Sequence, residues 1–163
     1  MDPVDVRDLL AEPGASRRVT LEEAFEELGT ELARVADHVR MEVLLESVVE
    51  GIAVSGPLSG RIAYRCARCL KSFDGALRLE VNELFSPEAT DEDDAYPISD
   101  GHIDLEPLVR DAVVLDMPFS PLCRPDCLGL CERCGGDRNL GECSCGPAVD
   151  VRWAPFEKLR LDD

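Results

Sequence analysis

The sequence predicts an α+β fold: an antiparallel β-meander sheet, one covering helix and a small C-terminal lobe of zinc-ribbon type. Three observations lead there. Apolar and polar residues alternate over much of Met41 to Phe85, the period of half-buried strands. A single stretch from Asp104 to Pro118 carries helical apolar spacing with start and stop signals. Six of the eight cysteines fall between Cys123 and Cys145, in pairs spaced for a tetrahedral metal. The expected division is a body over residues 1–122, bearing a Cys-x-x-Cys hairpin tip, and a cysteine-rich lobe with a terminal helical turn over residues 123–163, packed on the body.

Taken in order, Val4, Val6 and Leu9 predict a short strand within residues 3–10, and Glu12-Pro-Gly-Ala-Ser16 a turn. Val19–Leu21 reads as a second short strand. Leu21, Phe25, Leu28, Leu32 and Val35 keep helical spacing, which predicts a short helix around residues 26–36 despite Gly29. Met41 to Val54 reads as strand on its valine content, with a change of parity that predicts a bulge at Gly51. Ser55-Gly-Pro-Leu-Ser-Gly60 then reads as a loop.

The next strand puts Ile62, Tyr64 and Cys66 on one face and Arg61, Ala63 and Arg65 on the other, and Phe73 to Phe85 continues the sheet after Cys69. Cys66-Ala-Arg-Cys69 therefore falls at a hairpin tip. The acidic run from Ser86 to Gly101 predicts a solvated loop, lacking the ligand spacing of a calcium loop. Asp104 as N-cap, Pro107 in the first turn, a stripe of Leu105, Leu108, Val109, Ala112 and Val113, and Pro118 as terminator define the helix. Trp153, Phe156 and Leu159 are expected to dock a terminal turn on the body.

The gaps within Cys131, Cys134, Cys143 and Cys145 make a self-contained four-thiolate site. Cys66, Cys69, Cys123 and Cys127 remain, and would hold a second zinc between the hairpin tip and the chain entering the lobe. Exchange of ligands between pairs, or one zinc with spare buried thiols, stays open, so the expectation is one or two structural zinc ions. Four thiolates leave no coordination position for substrate. No nucleophile and base pair, phosphate loop or open metal site is evident, and no enzyme is expected.

Seventeen Lys and Arg against 34 Asp and Glu give a net charge of −17, which disfavours bulk binding to RNA or an anionic membrane and favours basic partners. Against that field, Arg61, Arg65, Arg68, Lys71 and Arg78 cluster on the hairpin, with Arg124, Arg133 and Arg138 able to join from the lobe. The patch either meets RNA phosphate or an acidic surface, or is neutralised by nearby carboxylates. No leader or membrane span is seen, and eight cysteines without a secretory signal point to metal in a reducing cytoplasm; a thiol redox protein is the competing class.

Several stretches together resemble the YceD family, the large ribosomal RNA subunit accumulation proteins, in a form with a zinc lobe. They are Asp5-Val-Arg-Asp-Leu-Leu10, Leu45 to Ile52, Cys66-Ala-Arg-Cys69-Leu, Asp104 to Asp111, Asp126 to Gly135, Asp137-Arg-Asn139, Cys143-Ser-Cys145 and Arg152-Trp-Ala-Pro-Phe-Glu-Lys-Leu159. The resemblance implies a non-enzymatic role in ribosome biogenesis, with a large-subunit precursor, a basic ribosomal protein or a processing factor as partner. Direct RNA contact through the basic hairpin is the alternative. Leu128 stands where many members carry lysine, so no lysine-based RNA contact in the lobe carries over.

Overall fold

The computed structural model describes residues 1–90 and 95–146. It is mostly sheet, with few helices and a C-terminal cysteine cluster. Strands β1 (Val4–Asp5), β2 (Ser16–Ala24), β3 (Ala33–Val35), β4 (His38–Val48), β5 (Gly51–Arg65), β6 (Ser72–Ser86), β7 (Tyr96–Ser99) and β8 (His102–Ile103) form one eight-stranded sheet. Helices α1 (Arg7–Ala11) and α2 (Glu106–Asp116) complete it. The spatial order is β1-β8-β7-β6-β5-β4-β2, with β3 paired to β5; β6 and β7 run parallel and the other pairs antiparallel.

The 15-residue strand β5 is the spine. One edge pairs with β6 from Ile52↔Phe85 to Arg65↔Ser72 without a break. The other edge is shared in succession: residues up to Ser59 pair with β4, and Ile62 to Tyr64 pair with β3. Alternation decides which face is buried. Ile52, Val54, Leu58 and Ile62 of β5 meet Val39, Met41, Val43 and Leu45 of β4 and Leu77, Val81 and Phe85 of β6, all at most 5% exposed. Leu108, Val109 and Val113 of α2 close this core, and Val6, just before α1, and Leu9 of α1 join it. The N-cap of α2 is Leu105 rather than the expected Asp104, whose carboxylate, one residue earlier, accepts from the Glu106 N–H at 2.9 Å; Pro107 lies in the first turn as expected.

Further expectations are corrected. Residues 3–10 hold a two-residue strand and then helix α1, because Val6 and Leu9, three apart, both turn into the core. No helix spans 26–36. Glu27 at φ 54° and Gly29 at φ 141° bend the chain, Thr30 Oγ1 accepts from the N–H groups of Leu32 and Ala33, and Ala33–Val35 enters the sheet. A Cβ at Gly29 would lie 2.2 Å from the Ala33 carbonyl, so this approach requires glycine.

The parity change near Gly51 is a hairpin, not a bulge: Val49 and Glu50 form the turn between β4 and β5, closed by Val48↔Gly51. The stretch 55–60 is strand rather than loop. Pro57 is tolerated because the ladder to β4 skips Gly56 and Pro57 while the β6 side stays intact.

The loop expected over Ser86 to Gly101 does not extend that far, because Tyr96–Ser99 forms β7 between β6 and β8, and an Asp100-Gly101 turn, both residues at positive φ, leads into β8. Residues 91–94 and the expected terminal turn with Trp153, Phe156 and Leu159 lie outside the described residues.

Gly51→Ala tests the hairpin. At φ 147° its Cβ would lie 2.0 Å from the Phe85 carbonyl oxygen, backbone that cannot yield. The expected loss is about 3 kcal/mol or more in urea unfolding, against about 1–2 kcal/mol for Gly14→Ala, whose positive φ opens on free space.

Candidate metal centres

The chain reverses between β5 and β6 through Cys66-Ala-Arg-Cys69-Leu70. The Leu70 N–H donates to the Cys66 carbonyl and the Cys66 N–H to the Lys71 carbonyl, both at 2.9 Å, with Leu70 in the left-handed region at φ 60°. The same knuckle recurs at Cys131-Glu-Arg-Cys134-Gly135. There the Gly135 N–H donates to the Cys131 carbonyl at 2.8 Å and the Cys131 N–H to the Gly136 carbonyl at 2.9 Å, and Gly135 has φ 72°. Two sequence repeats of Cys-x-Arg-Cys thus form two equivalent turns that aim backbone N–H groups at sulfur.

The chain leaving α2 supplies the partners of the first knuckle. Ala67 N–H donates to the Pro121 carbonyl at 2.8 Å, and Arg68 Nη1 to the Cys127 carbonyl at 2.9 Å. The Cys66 and Cys127 sulfurs then lie 3.8 Å apart, and those of Cys69 and Cys123 3.7 Å apart. Four sulfurs around a tetrahedral zinc at about 2.3 Å are separated by about 3.8 Å, so the spacing fits that ion. In each of the groups Cys66, Cys69, Cys123, Cys127 and Cys131, Cys134, Cys143, Cys145, all four sulfurs lie within 4.8 Å of one another. Both clusters are positioned to hold a metal ion, and their donor set is compatible with zinc. They follow the partition that the cysteine spacing predicts.

Burial opposes ionisation of Cys66, yet N–H donation from Cys123, Cys69 and Arg68 outweighs it and brings the thiol down to about 6. Cys131 reaches about 6 chiefly through the N–H groups of Cys134 and Arg133. Cys123 is pushed up to about 12, first by burial, and Cys145 to about 12, first by its hydrogen bond with Cys134. Protein groups alone thus lower one thiol in each cluster, Cys66 and Cys131, and raise two, Cys69 and Cys123 in the first and Cys143 and Cys145 in the second, the behaviour of a donor set that a cation at its centre would complete.

Asn139, which the ligand count passes over, lies in the loop between Cys134 and Cys143 and reaches Cys127 of the first cluster. Its Nδ2 donates to Cys127 Sγ at 3.6 Å and to Asp137 Oδ1 at 2.7 Å, while its Oδ1 accepts from the Leu128 N–H at 2.9 Å and from Arg124 at 2.7 Å. The buried Asp137 also accepts from the Asn139 N–H, and Lys71 Nζ lies 2.9 Å from its other oxygen. Lys71, then Asn139, hold that carboxyl down at about 2. Leu130 N–H donates to the Arg68 carbonyl, so the second knuckle is anchored on the first. The only forewarning in the sequence was Asp137-Arg-Asn139 within the resemblance.

The cationic hairpin is largely occupied by internal contacts. Arg61 pairs with Asp37, Lys71 with Asp137, and Arg68 with the Cys127 carbonyl. Among the described residues the side chains of Arg65 and Arg78 have no hydrogen-bonding or ionic partner, and they share the outward face of the β5·β6 pair with Arg61. A groove of about 650 Å³ beside them offsets Arg34 and Arg65 with Glu31 and Asp74. Under it Tyr64 and Phe73 stack at 5.2 Å, Tyr64 reaching the main core and Phe73 the sulfur cluster. No helix among the described residues is long and apolar enough to cross a membrane.

Lys71→Met leaves the buried Asp137 carboxylate without its cation. The expected outcome is faster hydrogen exchange at the amides of Leu130, Arg138 and Asn139 with β4 and β5 amides unchanged; equal acceleration in both regions would contradict a local tie.

A family model described as "Large ribosomal RNA subunit accumulation protein YceD" matches residues 54–160. Among curated proteins, an uncharacterized protein of Mycobacterium tuberculosis is 38% identical over 125 residues, 73% of this chain and 60% of that protein. YlbN of Bacillus subtilis, also uncharacterized, is 26% identical over 141 residues, 83% of this chain and 81% of YlbN. A maize chloroplastic protein named large ribosomal RNA subunit accumulation protein YCED homolog 1 is 37% identical over 53 residues, 32% of this chain and 18% of that protein. The chain spans about 60% of the length of the mycobacterial relatives it matches. No solved structure matches it. With two thirds of its residues under the family model and both cysteine clusters inside the match, the chain belongs to the YceD family of large ribosomal RNA subunit accumulation proteins.

Proposed function

We propose that this protein is a non-enzymatic, cytoplasmic factor in ribosome biogenesis that supports accumulation of large-subunit ribosomal RNA by binding an assembly partner. The observation that carries this reading is the family match over residues 54–160. The net charge of −17 favours a basic ribosomal protein or a basic processing factor on the large-subunit precursor as that partner. Cys66, Cys69, Cys123 and Cys127 hold one structural zinc, and Cys131, Cys134, Cys143 and Cys145 a second. The first ties the body, residues 1–122, to the cysteine-rich lobe, residues 123–163. Thiolates fill every coordination position, so the ions organise the fold and carry no reaction.

Direct RNA contact is the second reading, and it rests on Arg65 and Arg78. Because Arg61, Arg68 and Lys71 are engaged within the chain, the available patch is two arginines wide, which favours a protein partner. Salt-dependent RNA binding that disappears in Arg65→Glu/Arg78→Glu with zinc retained would favour the RNA reading instead.

Depletion followed by gradient profiling of ribosomal subunits tests the main reading. Loss of large-subunit RNA, with a basic large-subunit protein or processing factor copurifying on the tagged chain, is expected; unchanged large-subunit RNA and no ribosomal partner would refute it. Purified without chelator, the protein should carry about two zinc ions per chain. Cys66→Ser should remove one and destabilise the β5–β6 hairpin, whereas Cys143→Ser should remove the other and leave amide protection in β4 and β5 unchanged. Less than one zinc per chain in the unaltered protein would overturn the assignment.

A further inference from the structure

Strand β2 ends the sheet. All nine of its residues pair with β4, from Ser16↔Glu46 to Ala24↔His38, and among the described residues no strand pairs with its far edge. An open edge of this kind offers unpaired N–H and C=O groups over about 30 Å. Proteins usually blunt such edges by shortness, proline, a bulge or repelling charge. β2 is long and contains no proline, and its unbroken register with β4 leaves no room for a bulge.

Its charges follow an order that protection does not require. From Arg17 the sequence reads Arg-Arg-Val-Thr-Leu-Glu-Glu, two cations, an apolar centre and two anions. Laid antiparallel on itself about Thr20, the strand sets Arg18 opposite Glu22 and Val19 opposite Leu21, each twice. Opposed residues share a face, so the outward-pointing Arg18 meets the outward-pointing Glu22 of the other copy. Within the chain Arg17 is already held by Asp8 at 3.1 Å, but Arg18 and Glu22 have no ionic partner among the described residues. A parallel arrangement would stack arginine on arginine, and a one-residue slip would put Arg18 opposite Glu23 or Leu21, on the other face.

We propose that the free edge of β2 binds β2 of a second copy of this chain, antiparallel about a two-fold axis at Thr20, so that the sheet continues from one subunit into the next. The self-complementary charge order is the reason for choosing a second copy as the occupant. The contact is isologous, each Arg18–Glu22 pair being made twice, and it closes at two subunits.

Charge reversal on the full chain, read by sedimentation equilibrium, tests this directly. The unaltered protein should dimerise with concentration, and Arg18→Glu or Glu22→Arg should each weaken the dimer about tenfold or more, since each sets like charges opposite one another twice. The two single variants, each monomeric alone, should associate when mixed. The first then carries carboxylates at both positions and the second guanidinium groups at both, so every facing pair between them is of opposite charge. The doubly reversed protein should dimerise again. Circular dichroism on each variant verifies that the sheet is retained. An unaltered protein that stays monomeric up to about 1 mM, a dimer indifferent to the reversals, or folded single variants that fail to associate on mixing would each overturn the proposal.

Discussion

Convergence of four sulfurs at the tip of the β5–β6 hairpin is the constraint on which the C-terminal half of this structure depends. Among the described residues the cysteine-rich segment buries little apolar surface: in the sulfur-centred cluster, Cys66, Cys69 and Cys127 are buried, with Phe73 and Leu122 packed against them. A segment so poor in hydrophobic area cannot offset its chain entropy by burial alone. Position comes instead from directional contacts, namely knuckle hydrogen bonds, Arg68 on the Cys127 carbonyl, Asn139 on Cys127 Sγ and Lys71 on the buried Asp137. The proposed zinc ions would give these contacts a common anchor.

That anchoring consumes charge. Three of the five cations on the hairpin are drawn into internal bonds, two of them in holding the lobe to the sheet. What the surface retains is a large negative excess with Arg65 and Arg78 as local exceptions. By charge alone, the carboxylate excess disfavours bulk binding to RNA and favours basic surfaces.

Much was legible before any coordinates. The alternation of Ile62, Tyr64 and Cys66 with Arg61, Ala63 and Arg65 set the buried face of β5 correctly, and the start and stop signals around Glu106–Asp116 located α2. Gap lengths proposed Cys131, Cys134, Cys143 and Cys145 as one group and left Cys66, Cys69, Cys123 and Cys127 as the remainder, with exchange between pairs open; the positions of the sulfurs in the fold give those two groups of four. Less visible were elements whose local pattern is ambiguous. Leu21 to Val35 has helical apolar spacing, yet the bend at Glu27 and Gly29 and the pairing of Ala33–Val35 with β5 win, and that pairing depends on residues remote in sequence.

Short-range chemistry in this chain thus determined strand faces, the covering helix and the self-contained spacing of Cys131, Cys134, Cys143 and Cys145, since those follow from periodicity, helix start and stop signals and loop length. Tertiary structure decided how they are used. Only the fold could carry Pro57 through a strand by leaving a gap in one ladder, tie Arg61, Arg68 and Lys71 to partners within the chain, set Asn139 on Cys127, and leave β2 without a second strand partner among the described residues. Each of these results rests on a partner outside the local stretch, or on the lack of one beside it, and no local window of sequence contains that information.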